Sequence, residues 1–455
     1  MFDLVIVLTR YLFVFYIVFF LWQGVRYIAA ERKIWKLNKN MAVSNQRVTI
    51  VFFHITAFLI LAYIPDTFSF NPMVLVIGVG ALILFFAAQI GIDKFYKGSC
   101  PLIWNGMIFL MDTGLIMLTR LGRLPKIGEG LSQKQLIWYF VGFCAIFAMP
   151  LFLKIVPKFE KLEYIYLFSG LALLLTPFLI GKEEFGAFNW IKIGSMNLQP
   201  SEIVKFLFVF YLASVFRKKL SFKQIIFPSA MAALYVLILV LQKDLGGALI
   251  FFMTYVVMMY VSTGSEILFA SAMGSATIAS IFAYKLFAHV RVRVAIWQDP
   301  WKDVYNTGTQ IVQALFAIGT WGLLGSGLTR GFPGYVPVVA RDSIFAAICE
   351  EMGSIFGMGI IGIYIMIFYR GAHIALRCKR RYYSVLAVGF TAMMAFQTFL
   401  ILGGTIKLIP LTGVTLPFIS YGGSSILVSA MMIGILQWVF MYYKDSGEAE
   451  AEDVG

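Results

Sequence analysis

Charged residues are scarce in this sequence, and their scarcity argues against a soluble fold. Only 13% of the 455 residues are Asp, Glu, Lys or Arg, whereas 60% are hydrophobic. A soluble domain carries about 25% charged residues. A water-soluble chain of this size could not bury so much apolar surface. The composition therefore predicts an integral membrane protein.

Alternation of apolar and polar residues, the mark of a membrane β-barrel, is also missing. The apolar runs are instead continuous, and a spanning helix needs about 20 such residues. They predict an all-α polytopic membrane protein with thirteen spans. The candidate spans are 4–25, 48–64, 72–92, 104–121, 136–156, 162–181, 201–216, 224–242, 245–263, 266–287, 345–369, 384–404 and 425–443.

Paired cysteine spacings are absent as well. The sequence has four cysteines, two in apolar runs and two in basic loops. This distribution indicates neither a disulfide framework nor a zinc site. Residues 1–30 lack the basic n-region and the small-residue cleavage site of a signal peptide, so we expect a retained helix there.

Acidic residues are fewer than basic ones, which leaves a net charge of +14. In a membrane protein this excess indicates cytoplasmic loops held by anionic lipids, and we expect no nucleic-acid partner. With thirteen helices, the basic clusters at 26–47, 94–97, 154–161, 217–223 and 370–381 fall on one side. The positive-inside rule makes that side the cytoplasm. It places the N-terminus outside the cell membrane and the acidic tail, 446–455, inside.

No soluble-domain linker interrupts the chain, so we expect one membrane domain. Its predicted parts are the extra helices of 1–100, a core of 101–445 with a long outer loop at 288–344, and the tail. The loops 120–135 and 288–344 carry basic residues on the outer side. Long loops cross a membrane regardless of charge. An outward-facing site for a pyrophosphate is the equally favoured alternative.

Ionisable residues inside spans are costly and are therefore functional candidates. Glu202 and Lys205 lie one helical turn apart, and a structural ion pair between them is the simpler interpretation. We assign no role to His54, which we expect to be a satisfied polar group. The full set is His54, Asp112, Glu202, Lys205, Asp244, Glu350 and Glu351.

Three further features are typical of a site at the membrane boundary. Asp342 precedes a predicted span, where partial desolvation would improve it as a base, although an N-cap Asp for a helix at 343 fits equally well. The segment 308–325 predicts an amphipathic helix at the outer surface. Residues 410–425 predict a re-entrant loop or broken helix, which a transporter would also have.

These stretches, taken in order, resemble the SEDS family (shape, elongation, division and sporulation) of the FtsW/RodA/SpoVE type. The resemblance covers about residues 104–443 and leaves the three leading helices outside. The sequence departs from the family pattern before Asp342, where 337–341 lacks the usual Glu and His, and at Cys349, Ile401 and Lys407. It therefore resembles a divergent branch with an N-terminal extension. The matching segments are 186–190, 199–205, 242–246, 297–300, Gln310, 319–325, 337–346, 350–353 and 410–425.

The resemblance implies a ten-helix core and an inverting glycosyltransferase that polymerises lipid II into peptidoglycan. It implies that Asp342 is the catalytic residue. The candidates for binding the pyrophosphate and sugars of lipid II, with or without a divalent cation, are Arg120, Lys205, Arg291, Arg293, Arg341, Gln310, Ser420 and Ser424. Further structural or functional candidates are Glu202, Asp244, Trp297, Asp299, Glu350 and Glu351.

Two other functions remain open at this point. A lipid II flippase would need ionisable groups along a path through the bilayer, with which Asp112, Asp244 and Glu350 are compatible. A non-catalytic scaffold would not need Asp342. The family resemblance also implies a single-pass transpeptidase, a class B penicillin-binding protein, as partner.

Overall fold

The structure is a computed structural model that describes residues 2–35, 38–64, 67–124, 127–128, 130–155, 159–180, 182–184, 187–193 and 196–452. The basic residues Lys36, Lys126 and Lys158 and the motif residue Gly186 lie outside the described residues. Within these ranges the chain is mostly helical, as its apolar runs predict.

Sixteen α-helices are present in the described residues. They are α1 (Phe2–Glu31), α2 (Lys39–Ala62), α3 (Pro72–Phe95), α4 (Pro101–Gly122), α5 (Leu131–Ile155), α6 (Glu163–Ile180), α7 (Pro200–Phe216), α8 (Phe222–Leu241), α9 (Leu245–Thr263), α10 (Glu266–Leu286), α11 (Ala288–Gln298), α12 (Thr309–Thr320), α13 (Ile344–Met352), α14 (Ser354–Arg377), α15 (Arg381–Thr405) and α16 (Gly423–Glu452). Short 3-10 helices lie at Phe159–Lys161, Pro300–Asp303 and Pro333–Tyr335.

Two small antiparallel sheets occur in the connections, which the sequence does not predict. The first pairs β1 (Tyr63–Ile64) with β2 (Ser69–Phe70). The second is a meander of β3 (Lys182–Glu184), β4 (Ala187–Ile193) and β5 (Met196–Leu198). The meander joins α6 to α7 and contacts both helices. It brings Trp190 to the wall of a polar cavity.

Eleven of the described helices are long and apolar enough to cross a membrane, namely α1–α5, α8–α10 and α14–α16. The chain is therefore a multi-pass membrane protein. The predicted runs 162–181 and 201–216 form α6, of 18 residues, and α7, of 17 residues, which are not among the eleven. The segment predicted as amphipathic does form a helix, α12. Helix α16 continues to Glu452, so the predicted tail is partly helical.

The prediction of one continuous helix over 345–369 is wrong. The chain breaks at Gly353, where φ is +94°, and separates α13 from α14. A Cβ atom at this position would lie 2.4 Å from the carbonyl oxygen of Leu323. The segment 322–327 packs so closely against this point that only glycine fits, and the helix cannot pass through it.

Helix α4 is the centre of the bundle, with every residue from Leu102 to Leu121 buried. It packs against α2, α5 and α14. Gly114 permits a close approach of the C-terminal loop, because a Cβ atom there would lie 2.6 Å from the carbonyl oxygen of Ile419. Of the three preceding helices, α2 makes the main contact with α4, and α1 and α3 pack against α2.

Polar contacts connect α1–α3 with the rest of the bundle. His54 on α2 contacts Asp112 on α4 through its Nδ1 atom at 2.6 Å, and its Nε2 atom contacts the carbonyl oxygen of Gly78 at 2.9 Å. This confirms that His54 is a satisfied polar group. At one end of the bundle Glu31 pairs with the buried Arg370.

Candidate active site

A cavity of about 360 Å³ lies where α7, α9, α11 and α12 meet the loops before α13 and α16. It is lined by charged and polar side chains alongside apolar ones. Seven of the fifteen site residues predicted from the sequence line it: Glu202, Lys205, Asp244, Arg293, Gln310, Arg341 and Asp342.

Asp342 lies in the turn that leads into α13. Its backbone N–H donates to the carbonyl oxygen of Val338 at 3.1 Å. The N-cap of α13 is Ser343, so the interpretation of Asp342 as a helix cap is wrong. Val338 has φ of +52°, a conformation that a β-branched residue rarely adopts and that is often found at functional sites.

The environment of Asp342 makes its carboxyl group more basic than that of an exposed aspartate. Burial raises the pKa of Asp342 to about 6, while Arg341, Arg293 and a hydrogen bond with Gln310 oppose the shift. Gln310 also donates from Nε2 to the hydroxyl of Ser343 at 3.1 Å, which holds its amide beside the carboxyl. A carboxylate with this pKa is ionised near neutral pH and is more basic than an exposed Asp.

Two arginines flank Asp342. Arg293 donates from Nη1 to the carbonyl oxygens of Leu411 and Thr412 at 3.3 and 3.1 Å, which ties α11 to the C-terminal loop. The guanidinium of Arg341 lies over the rings of Trp190 and Tyr421, 5.3 and 5.9 Å from their centroids. Stacking on aromatic rings fixes the plane of the Arg341 guanidinium at the cavity wall.

The ion pair predicted between Glu202 and Lys205 is confirmed, at 2.6 Å between Oε1 and Nζ. Lys205 also donates to Oε1 of Gln397 at 2.8 Å, and the Gln397 amide donates to the carbonyl oxygen of Thr415 at 2.9 Å. These contacts run from α7 through α15 to the irregular backbone of 410–422. They satisfy polar groups that would otherwise be buried without partners.

Asp244 caps α9 by accepting a hydrogen bond from the backbone N–H of Gly247 at 2.8 Å. Its other carboxylate oxygen accepts from Nε2 of Gln199 at 3.1 Å. Asp244 and Asp342 both oppose the effect of burial on Arg293, whose pKa is lowered. Arg293 therefore interacts electrostatically with both of these carboxylates.

Eight predicted residues lie outside the cavity lining. Arg120, predicted in a loop, is in the last turn of α4 and pairs with Glu351 at 2.8 Å. Arg291 donates to the carbonyl oxygen of Lys285 at 2.7 Å at the end of α10. The hydroxyl of Ser420 donates to the carbonyl oxygen of Arg341 at 2.6 Å, behind the cavity wall. The other members are Ser424, Trp297, Asp299, Glu350 and Glu351.

Several lining residues received no role from the sequence. Trp190, Gln199 and Tyr421 belong to the motif segments, and their presence in those segments was the only signal that marked them. Lys243 adds a cation beside Asp244 and has φ of +63°. Among the described residues, no group of three or more His, Cys, Asp or Glu side chains could hold a metal ion.

Fold and cavity together define a multi-pass membrane protein that holds a basic carboxylate and several cations in one cavity. The chain belongs to the FtsW/RodA/SpoVE family, because the family model described as "cell cycle protein" matches residues 101–445. The match begins with α4, so α1–α3 precede it.

Individual relatives agree with this assignment. The chain is 33% identical over 386 residues to peptidoglycan glycosyltransferase RodA of Mycobacterium tuberculosis, which covers 79% of this chain and 81% of that protein. It is 34% identical over 321 residues to stage V sporulation protein E of Bacillus subtilis, covering 68% and 87%. A chain of a solved peptidoglycan synthase complex superimposes with a TM-score of 0.62 at 25% identity, covering 74% of this chain and 97% of that one.

Proposed function

We propose that this protein is a peptidoglycan glycosyltransferase that polymerises lipid II into glycan strands at the outer face of the cytoplasmic membrane. The observation that carries the proposal is the position of Asp342, a carboxylate of raised pKa between Arg293 and Arg341 in one cavity. Family membership and the names of the relatives support the same activity.

The reaction joins the C4 hydroxyl of one sugar to the anomeric carbon of another, which carries a lipid pyrophosphate. Asp342 takes the hydroxyl proton as the C4 oxygen forms the new glycosidic bond. The bond between the anomeric carbon and the pyrophosphate oxygen breaks, and the lipid pyrophosphate leaves with that electron pair. Attack opposite the leaving group inverts the anomeric centre.

Cations on the cavity wall stabilise the departing pyrophosphate. Arg341 and Arg293 lie beside Asp342, and Lys243 is a further cation in the lining, whereas the charge of Lys205 is balanced by Glu202. Fixed cations that face the developing charge need no reorganisation during the reaction. Gln310 orients the Asp342 carboxyl through its amide N–H groups, and its amide oxygen can accept a hydrogen bond from a sugar hydroxyl.

The proposed topology places the cavity outside and the C-terminus in the cytoplasm, with the N-terminus outside. Helices α1–α3 form an N-terminal extension and 101–445 the polymerase unit. A class B penicillin-binding protein is the proposed partner, since a structural neighbour belongs to a peptidoglycan synthase complex. Labelling of single introduced cysteines by a membrane-impermeant reagent tests the sidedness.

The deciding experiment compares wild-type protein with Asp342→Asn in liposomes supplied with lipid II, with and without the partner. General base catalysis contributes about 10²–10⁴-fold, so we expect strands from wild type and essentially none from the variant. Asp93→Asn is the matched control, because Asp93 pairs with Arg47 on the surface of the bundle.

Equal polymer from wild type and Asp342→Asn would assign the base to another residue. Asp299 and Asp303, in the turn after α11, would be tested next. Absence of polymer from both proteins, with the partner present, would contradict the polymerase. Transport of labelled lipid II across the liposome membrane would then distinguish a flippase from a scaffold.

A further inference from the structure

The loop that carries Asp342 leads into α13, and another loop holds the C-terminal end of that helix in place. Residues 322–331 pack against that end, and we name them the clamp loop. The backbone N–H groups of Ser326 and Gly327 in this loop donate to the carbonyl oxygens of Glu350 and Glu351 at 2.8 and 2.9 Å. The clamp loop therefore binds the last turn of α13 directly.

The side chain of Glu351 binds the clamp loop, and that of Glu350 binds Phe332, the residue that follows it. Glu351 is fully buried and accepts from the backbone N–H of Thr329 at 3.1 Å through Oε2. Glu350 accepts from the backbone N–H of Phe332 at 2.7 Å through Oε1. Both carboxylates thus bind backbone N–H groups, and neither lines the cavity.

Arg120 completes this arrangement from α4. Its Nε atom donates to Glu351, and its Nη2 atom donates to the carbonyl oxygens of Thr329 and Gly331 at 3.2 and 3.1 Å. One guanidinium therefore neutralises a buried carboxylate and satisfies two loop carbonyls.

The first helix of the chain reaches the same loop. Arg10 on α1 donates from Nη1 to the carbonyl oxygen of Gly325 at 2.9 Å. Close packing accompanies this bond, since a Cβ atom at Gly327 would lie 2.6 Å from the side chain of Ile6. Helix α1 precedes the region matched by the family model, which begins at residue 101.

We propose that Arg10 and Arg120 are positioning residues that set the location of Asp342 by holding the clamp loop against α13. This inference rests on the proposed function. It assigns a role in the reaction to the N-terminal extension, and it gives Arg120, Glu350 and Glu351 a task other than substrate binding.

The path from the clamp loop to Asp342 is short and stiff. Helix α13 has nine residues, so it is about 13 Å long, and all nine are buried. Asp342 stands two residues before its first residue, and the Gly353 break after its last residue packs on the clamp loop. A buried helix of this length moves as one body, so displacement of one end displaces the other.

The test compares Arg10→Met with Arg10→Lys and with Arg26→Met. Arg26 lies on the same helix but donates to Gln23, one turn away, so it is a matched control. We expect kcat for lipid II polymerisation to fall about ten- to a hundredfold in Arg10→Met, because small displacements of reacting groups have effects of this size. KM should stay unchanged, and Arg10→Lys should restore part of the rate.

A pH profile separates positioning from loss of folded protein. When the clamp loop no longer holds α13, the loop that carries Asp342 loosens and admits water. The added water weakens the desolvation that raises the pKa of Asp342. The acid limb of kcat should therefore move to lower pH in Arg10→Met but not in Arg26→Met. The charged groups that share the cavity with Asp342 are unchanged in both variants; they are Glu202, Lys205, Lys243, Asp244, Arg293 and Arg341.

A charge-neutral variant covers the case in which Arg10→Met does not fold. Arg120→Met combined with Glu351→Gln removes both charges of the ion pair, and the Gln keeps an acceptor for Thr329. The same fall in kcat at constant KM is expected.

Backbone hydrogen exchange of the clamp loop and of 338–343 gives a readout independent of activity. We expect faster exchange in both segments in Arg10→Met. Faster exchange in the clamp loop alone, or wild-type kcat and pH profile in Arg10→Met and in the double variant, would overturn the inference. If wild type makes no polymer, the proposed function fails, and the exchange at 338–343 still decides whether the clamp holds that segment.

Discussion

Asp342 is the cavity residue whose environment best suits a general base. Burial raises its pKa to about 6, and the two neighbouring arginines keep it from rising further. As the proposed base, Asp342 must be ionised, so we expect activity to fall as the pH drops through this pKa. We therefore expect the charges around this carboxyl to set the pH range of activity.

The first prediction concerns this pH dependence. For wild type, kcat should be constant above about pH 7 and fall tenfold per pH unit well below pH 6. Arg341→Met removes a cation that lowers the pKa, so the acid limb should move to higher pH. Initial rates of polymerisation between pH 5 and 8 measure the shift. An unchanged limb in Arg341→Met would contradict the electrostatic account, and Asp299→Asn should leave the limb in place.

The second prediction concerns the buried pair of Glu202 and Lys205. Lys205→Met leaves Glu202 buried without its partner, which should destabilise the protein by about 3–5 kcal/mol. The double change Glu202→Gln with Lys205→Met should recover most of this loss, because no charge remains. Thermal unfolding in detergent measures both variants. Equal stability of the single and double variants would show that the charge pair is not the stabilising feature.

At the scale of elements, the break at Gly353 separates α13, which follows the loop that carries Asp342, from the long helix α14. Residues 345–369 read as one apolar run, yet Gly353 turns the chain with φ of +94°. The turn makes room for the clamp loop, whose Leu323 carbonyl group sits where a side chain would be.

The third prediction is that Gly353→Ala destabilises the protein and also lowers kcat by more than the loss of folded protein explains. Alanine at a positive φ costs about 1 kcal/mol or more, and here its Cβ atom also meets the Leu323 carbonyl oxygen. Gly319→Ala in α12 is the control, since nothing lies within 4 Å of the added atom. The midpoint of thermal unfolding and kcat are the measurements. Wild-type values for both in Gly353→Ala would refute the role of the break.

At the scale of the whole molecule, the extension α1–α3 supplies partners to buried groups of the core. Asp112 on α4 has only His54 as a side-chain partner among the described residues, and Asn105 donates to Gln46 at 3.0 Å. Arg370 forms an ion pair with Glu31 on α1. The extension is therefore an integral part of the bundle and not an attached module.

The fourth prediction follows from these contacts. Deletion of residues 1–95 should strongly reduce the yield of monodisperse protein, because Asp112 would face lipid without a partner. Asp112→Leu should raise the yield of the truncated protein. In the full-length chain, the double change His54→Leu with Asp112→Leu should be tolerated better than His54→Leu alone. Size-exclusion profiles of a fluorescent fusion measure the yields, and an undiminished yield of the truncated chain would contradict the prediction.

The sequence by itself determined the class of the protein and the positions of most of its membrane-spanning helices. Continuous apolar runs specify spanning helices because the bilayer requires local backbone hydrogen bonding. The spacing of Glu202 and Lys205 specified their pairing for the same local reason. The family motifs indicated most of the segments that line the cavity.

Only the tertiary structure decided which basic residues share a cavity with Asp342. Arg293 and Arg341 do, whereas Arg120 pairs with Glu351, which is 231 positions away in the chain. The break at Gly353 likewise depends on a loop that packs against it from elsewhere. Contacts of this kind depend on how distant helices approach one another, and no local pattern of residues encodes that approach.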